Sequence, residues 1–102
     1  MLPKKFRLPS DSIQLRNPIN MQHGVFLIKK TPNAFGHRRV GVLISKKVST
    51  SSPRRHRIKR IILEGVRLYW NLLKEEDVLF IVSSSILRFS REKIMEIVKK
   101  AD

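Results

Sequence analysis

Arg39-Val40-Gly41-Val42-Leu43-Ile44-Ser45-Lys46-Lys47, then Val48-Ser49-Thr50-Ser51-Ser52-Pro53, then Arg54-Arg55-His56-Arg57-Ile58-Lys59-Arg60, is the stretch on which the fold turns. Residues 39–45 are apolar and β-branched on both pleat faces, which predicts a strand covered on both sides, by helices or by a ligand. The serines form a turn. Ser52 is placed to cap a helix, and Pro53 suits its first position, where an N–H would have no partner. Ile58, Ile61, Ile62, Gly65, Tyr69 and Leu72 fall within about 50° of one line at about 100° per residue, which makes them the core stripe of a long helix. Gly65 within that stripe implies close packing on a sheet, and Glu75-Glu76-Asp77 is expected to end the element.

Working outward, Val25-Phe26-Leu27-Ile28 is a strand running into Lys29-Lys30, with a turn at Thr31-Pro32-Asn33. With residues 39–45 it reads as an antiparallel hairpin. Asp77-Val78-Leu79-Phe80-Ile81-Val82-Ser83 is a third strand, and Ser83-Ser84-Ser85 a loop. A last helix starts at Ser90 and carries Ile94, Ile97, Val98 and Ala101 at the i, i+3, i+4, i+7 spacing. Phe80 and Phe89 are expected in the core, and Trp70, about 120° from the core stripe, half-buried at its edge. Residues 1–22, with Pro3, Pro9 and Pro18, read as an extended arm. Within it Ser10-Asp11-Ser12 could cap a short helical turn through Ile13 and Leu15 before Pro18 stops it. Residues 1–102 thus form a single α+β domain, a small two-layer sandwich of sheet and helices.

The chain has 102 residues, 41% of them hydrophobic, enough for one modest core. Its net charge is +14, and the distribution of that charge says more than its total. Residues 1–60 hold 15 Lys and Arg against Asp11 alone, while residues 61–102 hold seven of each sign. A surface charged only for solubility would mix both signs throughout, so the first three-fifths present a polyanion-binding face. Without cysteine, disulfides, thiol nucleophiles and thiolate metal sites are excluded. No run of 18 apolar residues and no signal-peptide core is present, so a cytoplasmic protein with no membrane partner is expected. Nothing signals an obligate protein partner.

The charge is densest where the long helix begins, with four Arg and one Lys among residues 54–60. Like charges one turn apart repel, and cations at a helix N-terminus oppose the macrodipole. Such crowding fits a site awaiting an external anion. The first-turn N–H groups point the same way and themselves favour phosphate. Arg grips phosphate oxygens bidentately, whereas Lys46 and Lys47, delivered by the strand, add mobile point charges. Arg57 and Lys59 flank the core stripe, His56 and Arg60 lie near its opposite pole, and Arg54 and Arg55 project one turn earlier. The helix can therefore show cations on two sides. The nearby acid on this helix is Glu64, four residues beyond Arg60.

This pattern resembles the bacterial ribonuclease P protein family, whose signature is a glycine-led strand, Ser-Lys-Lys, a turn, then Arg-Asn-Arg-x-Lys-Arg on a helix. Here it reads Gly41-Val42-Leu43-Ile44-Ser45-Lys46-Lys47 and Arg55-His56-Arg57-Ile58-Lys59-Arg60. The resemblance implies an αβββαβα-like order with a left-handed βαβ crossover, against the usual hand. It also implies a ribonucleoprotein endonuclease in which a catalytic RNA subunit, with Mg²⁺ bound by RNA and substrate, removes the 5′ leader of precursor tRNA. The protein then carries no catalytic residue and no metal ligand. Lys46, Lys47, Arg55, Arg57, Lys59 and Arg60 match the RNA-binding motif, with Arg54 and His56 in the same run. Leu27 and Lys29 match positions facing a leader-binding cleft, with Phe6 offered nearby by the arm. His56 replaces the motif's Asn, Ser49 a common turn glycine, and Leu63 a further Arg. The arm lacks the family's aromatic-bearing helix. Base stacking supplies about 1–3 kcal/mol per base, so leader binding is expected to be weaker and more electrostatic.

Two other classes compete. A small basic ribosomal protein would suit the arm and the charge. A metal-free ribonuclease would need paired imidazoles, for which His23, His37 and His56 are available. Two-metal hydrolysis needs clustered carboxylates, and the basic region offers Asp11 alone.

Overall fold

The computed structural model describes residues 2–9 and 15–102. The short turn expected around Ser10-Asp11-Ser12 and Ile13 lies outside them. Four strands, β1 (Ile19–His23), β2 (Phe26–Pro32), β3 (Arg39–Leu43) and β4 (Glu76–Val82), form one sheet in the order β1-β2-β4-β3. Helix α1 (Ser52–Tyr69) connects β3 to β4, and α2 (Arg91–Lys100) follows β4. Short 3-10 helices occupy Lys4–Phe6 and Ser84–Arg88, the latter where the sequence suggests a plain serine loop.

The hairpin of the fold is β1–β2, antiparallel, with His23 opposite Phe26 across the two-residue turn Gly24-Val25. Gly24 has φ of +59°, which this kind of tight turn requires at its first position and which glycine adopts without steric cost. All of strand β1 but His23 lies inside the segment read as an arm. The expected hairpin between β2 and the strand at 39–43 does not form, because β4 pairs antiparallel with β2 and parallel with β3. Strand β4 is the most apolar on both faces and takes the central place. The loop 33–38 crosses its end, with Asn33 N–H donating to the Glu75 carbonyl (3.1 Å) and Arg38 N–H to that of Leu72 (2.9 Å).

One face of the sheet carries Phe26, Ile28, Val40, Val42, Val78, Phe80 and Val82, all buried beneath α1 and α2. The Oγ of Ser51, one residue earlier than expected, caps α1 by accepting the Arg54 N–H at 3.3 Å, and Ser90 caps α2 in the same way through Lys93. The buried side of α1 is Ile58, Ile61, Ile62, Leu63, Gly65 and Val66. Gly65 serves the contact with α2 rather than with the sheet, since a Cβ there would lie 3.0 Å from Val98 Cγ1. The helix stops at Tyr69, which is exposed, and Trp70 turns into extended backbone. Its indole is therefore buried, 6% exposed, and donates to the Val98 carbonyl at 2.7 Å. The helical angle that put it at an edge no longer applies.

The other face of the sheet carries no α-helix among the described residues. It shows Leu27, Lys29 and Thr31 of β2, Asp77, Leu79 and Ile81 of β4, and Arg39, Gly41 and Leu43 of β3. The N-terminal segment crosses its β3 margin, where Arg7 bridges to Val40 and Leu8 N–H donates to the Val40 carbonyl at 2.9 Å. Leu8 fills the space above Gly41, against which a Cβ would stand only 3.1 Å away. Leu2 reaches the main core.

Candidate nucleic-acid interface

After β3 the backbone enters a turn at residues 46–48 that leaves Lys46 and Lys47 exposed and sinks Val48 into the core. The buried valine anchors the lysine pair beside the helix start. Serine side chains organise the link to α1: Ser45 Oγ accepts the Lys47 N–H at 3.3 Å, and Ser49 Oγ the Ser51 N–H at 3.2 Å. Arg55 is half-buried and donates through Nη1 to the Ser49 carbonyl at 2.7 Å, so one cation of the run also fastens the turn.

Arg54, His56, Arg57, Lys59 and Arg60 are exposed on α1. Among the described residues, none of the cations at 46, 47, 54, 55, 57, 59 and 60 forms an ion pair. Glu64, expected opposite Arg60, instead accepts from Arg67, and that hydrogen bond holds its carboxyl below the usual range. The run flanks two grooves. Arg55, His56 and Lys59 face Leu43 and Ile44 at the end of β3. Arg54 and Arg57 face Ser90 and Arg91 across a groove floored by Leu87 and Phe89. Arg91 stands outside the expected set: it lies more than thirty residues along the chain, and only the packing of α1 on α2 brings it there.

Leu27 and Lys29 are half-buried side by side on the helix-free face, opposite Ile81 and Leu79 of β4. Phe6 sits beyond β3, edge-on to His37 with ring centroids 5.3 Å apart and Lys5 Nζ 4.9 Å from its own ring centre. Phe6 packs against the main core, so the structure does not bring it together with Leu27 and Lys29. The three imidazoles occupy separate places, His23 on β1, His37 beside the N-terminal segment and His56 on α1. His37 places its ring nitrogens 3.0 Å from the Phe35 carbonyl and 2.7 Å from that of Lys5, a structural use of the ring. Among the described residues no group of three or more His, Asp and Glu could hold a metal ion, and none of their helices is long and apolar enough to cross a membrane.

The model of the ribonuclease P family matches residues 11–101. The chain belongs to this family. A ribonuclease P protein component of Marinobacter nauticus is 41% identical over 70 residues, covering 65% of this chain and 53% of the relative. The chain therefore spans about half the length of that relative. The solved RNase P protein of Staphylococcus aureus superimposes with a TM-score of 0.79 at 19% identity, over 93% of this chain and 90% of that one. The RNase P protein of Thermotoga maritima gives 0.68 at 21% identity, over 84% and 86%. At these identities the two structures show the shared α+β fold, which in this chain is one four-stranded sheet with two helices on a single face. The residues that carried the resemblance, 41–47 and 55–60, lie within the matched region.

Proposed function

We propose that this chain is the protein subunit of ribonuclease P, which docks on a catalytic RNA through the start of α1 and holds the single-stranded 5′ leader of precursor tRNA on the helix-free face. The observation that carries the reading is the cationic run at 54–60, none of whose cations forms an ion pair among the described residues. Crowded cations are relieved when phosphate oxygens enter, with release of counterions from the RNA. Arg54 and Arg57, joined by Arg91, and Arg55 and Lys59 on the other flank, let one helix bridge two RNA backbones. Lys46 and Lys47 extend the cationic surface toward the sheet, where Leu27 and Lys29 receive the leader.

Cleavage itself is assigned to the RNA, with Mg²⁺ held by RNA and substrate phosphates. Four of the eight carboxylates support that division, being held in ion pairs or hydrogen bonds. Asp77 is held by Arg39 and Asn33, Glu76 and Asp102 by Arg38, and Glu96 by Lys100. By screening repulsion between the two RNAs, the protein lowers the magnesium concentration the reaction needs. Such a complex works in the bacterial cytoplasm.

Reconstitution with a bacterial ribonuclease P RNA and a precursor tRNA at low magnesium tests the reading. Stimulated 5′ cleavage supports it. Cleavage by the protein alone would instead make it a metal-free ribonuclease, and no effect in either format would leave a structural RNA-binding protein.

A further inference from the structure

The expectation of a leader site poor in aromatics overlooks the loop between β2 and β3. Phe35, in that loop, is 57% exposed. Its ring is nonetheless fixed: the Arg39 guanidinium carbon lies 3.9 Å from the ring centre. Arg39 is itself clamped, donating through Nε and Nη2 to the two carboxylate oxygens of Asp77 at 2.8 and 2.7 Å. Asp77 is 7% exposed and also accepts from Asn33 Nδ2 at 2.8 Å. Asn33 closes the loop by accepting the Phe35 N–H at 3.1 Å and donating to the His37 carbonyl at 3.2 Å. Gly36, with φ of +77°, supplies the left-handed residue this turn needs. A large apolar ring is therefore presented to solvent on a rigid polar support, although an exposed phenyl forgoes the gain that burial would bring.

The position of the ring says what it is for. Arg39 and Asp77 lie in register with Thr31, on the same sheet face as Lys29 and Leu27. Phe35 thus stands at the end of the helix-free face away from Lys46, about 13 Å along β3 at about 3.3 Å per residue. The Phe6–His37 pair adjoins it through the His37 contact with the Phe35 carbonyl. Lys29 follows Thr31 on the same face of β2, Lys5 lies against the Phe6 ring, and Asp77 is paired with Arg39. A π-face on a cationic rim, beyond a groove that takes single-stranded RNA, matches an unpaired nucleobase better than an apolar protein segment.

We propose that Phe35, propped on the Arg39–Asp77 pair, is a stacking platform for an unpaired base of the leader, distal to the part lying over Leu27 and Lys29. This assignment rests on the proposed leader site and adds to it a position that recognises any base by its π-face. It relocates the aromatic contribution from the arm to the β2–β3 loop.

The test uses the reconstituted holoenzyme and precursor tRNAs whose leaders lengthen one nucleotide at a time, with 2-aminopurine at successive leader positions. Wild-type affinity should rise in a step at one leader length, accompanied by quenching of the 2-aminopurine at that position. Phe35→Ala and Phe35→Leu should each remove the step and the quenching, weakening binding by roughly five- to 100-fold. Phe35→Trp should keep both. Cleavage of leaders shorter than the step should be unchanged in every variant, and so should thermal unfolding, because the ring is outside the core. A step that survives Phe35→Ala overturns the platform and leaves the leader site standing. Equal weakening on a leaderless tRNA also overturns it, placing Phe35 against the RNA subunit or the tRNA body. Wild-type affinity that ignores leader length overturns the leader site, and the platform with it.

Discussion

Two arginine clusters less than twenty residues apart behave as opposites. Arg38 is 0% exposed, its guanidinium carbon 4.2 Å from the centre of the Trp70 ring. It donates to Glu76 and Asp102 at 2.5 Å each and to the Asn71 carbonyl at 3.1 Å. Arg54, Arg57 and Arg60 are exposed on α1 and form no ion pair among the described residues. The same side chain knits the C-terminal end of the chain to the sheet in one place and waits for an outside anion in the other. Where the fold delivers carboxylates, an arginine is structural; where it delivers none, the charge is left for a partner.

Breaking the structural cluster should have the largest effect. Arg38→Ala leaves Glu76 and Asp102 without their shared partner and empties the space over Trp70. Removing one member of such a buried pair costs about 3–5 kcal/mol, so urea unfolding should show a loss near the lower end of that range, since both carboxylates keep some contact with water. The salt dependence of RNA binding by the folded fraction should be unchanged.

The reverse holds for the exposed cluster. Replacing Arg55, Arg57 and Arg60 together by Gln should leave the folding free energy nearly level, because relief of like-charge repulsion offsets loss of the Arg55 bond to the Ser49 carbonyl. It should flatten the dependence of log affinity on log salt by about two units, each phosphate contact contributing about 0.7–0.9. Single replacements sharpen the comparison: Arg57→Gln and Arg60→Gln should each lower the slope more than Arg55→Gln, because Arg55 is partly committed to the Ser49 carbonyl. An unchanged slope in the triple variant would remove α1 as the docking face.

The difference between the clusters also explains what the sequence could and could not reveal. The charge asymmetry and the strand–turn–helix order around residues 39–60 are local, and they mark the cationic run that the structure sets at the start of α1. The described carboxylate partners of Arg38 and Arg39 come from β4 and from Asp102, 38 to 64 positions away, and no local pattern announces them. Sequence neighbours are expected to pair, yet β4 displaces β3 from β2. Strand β1 escapes notice because Ile19-Asn20-Met21-Gln22 is almost wholly exposed and forms only on the edge that β2 provides. Leu72 prolongs the apparent helix past Tyr69, whereas the chain turns at Trp70, whose indole bonds to Val98 and stacks against Arg38. Arg91 and Phe35 owe their places to tertiary packing and to a side-chain scaffold, respectively.

A smaller effect is expected at the cap of the exposed helix. Ser51→Ala removes the acceptor for the Arg54 N–H and should cost about 1 kcal/mol in thermal unfolding. With this N–H freed near the cationic run, RNA affinity should fall by no more than a few-fold. A larger fall would show that the turn, and not only the helix charge, is part of the docking surface.

The smallest difference is one of pH, and it separates the clusters by sign. Burial alone would raise the Asp102 carboxyl, but hydrogen bonds from Arg38 and from the Asn71 backbone, with the nearby charge of Lys74, hold it below its ordinary value. A carboxyl whose folded-state pKa is depressed contributes stability above its unfolded pKa, about 3.9, and loses it as pH falls through the lower folded value. Asp102→Asn should therefore cost about 1 kcal/mol at neutral pH, where the amide can still accept from Arg38 but carries no charge. The variant and wild-type curves should converge in acid once wild-type Asp102 is protonated. A difference that persisted undiminished at low pH would mean that the side chain acts through packing rather than charge. Arg55, Arg57 and Arg60 form no ion pair with a described carboxylate, so the triple Gln variant should run parallel to wild type across the same range.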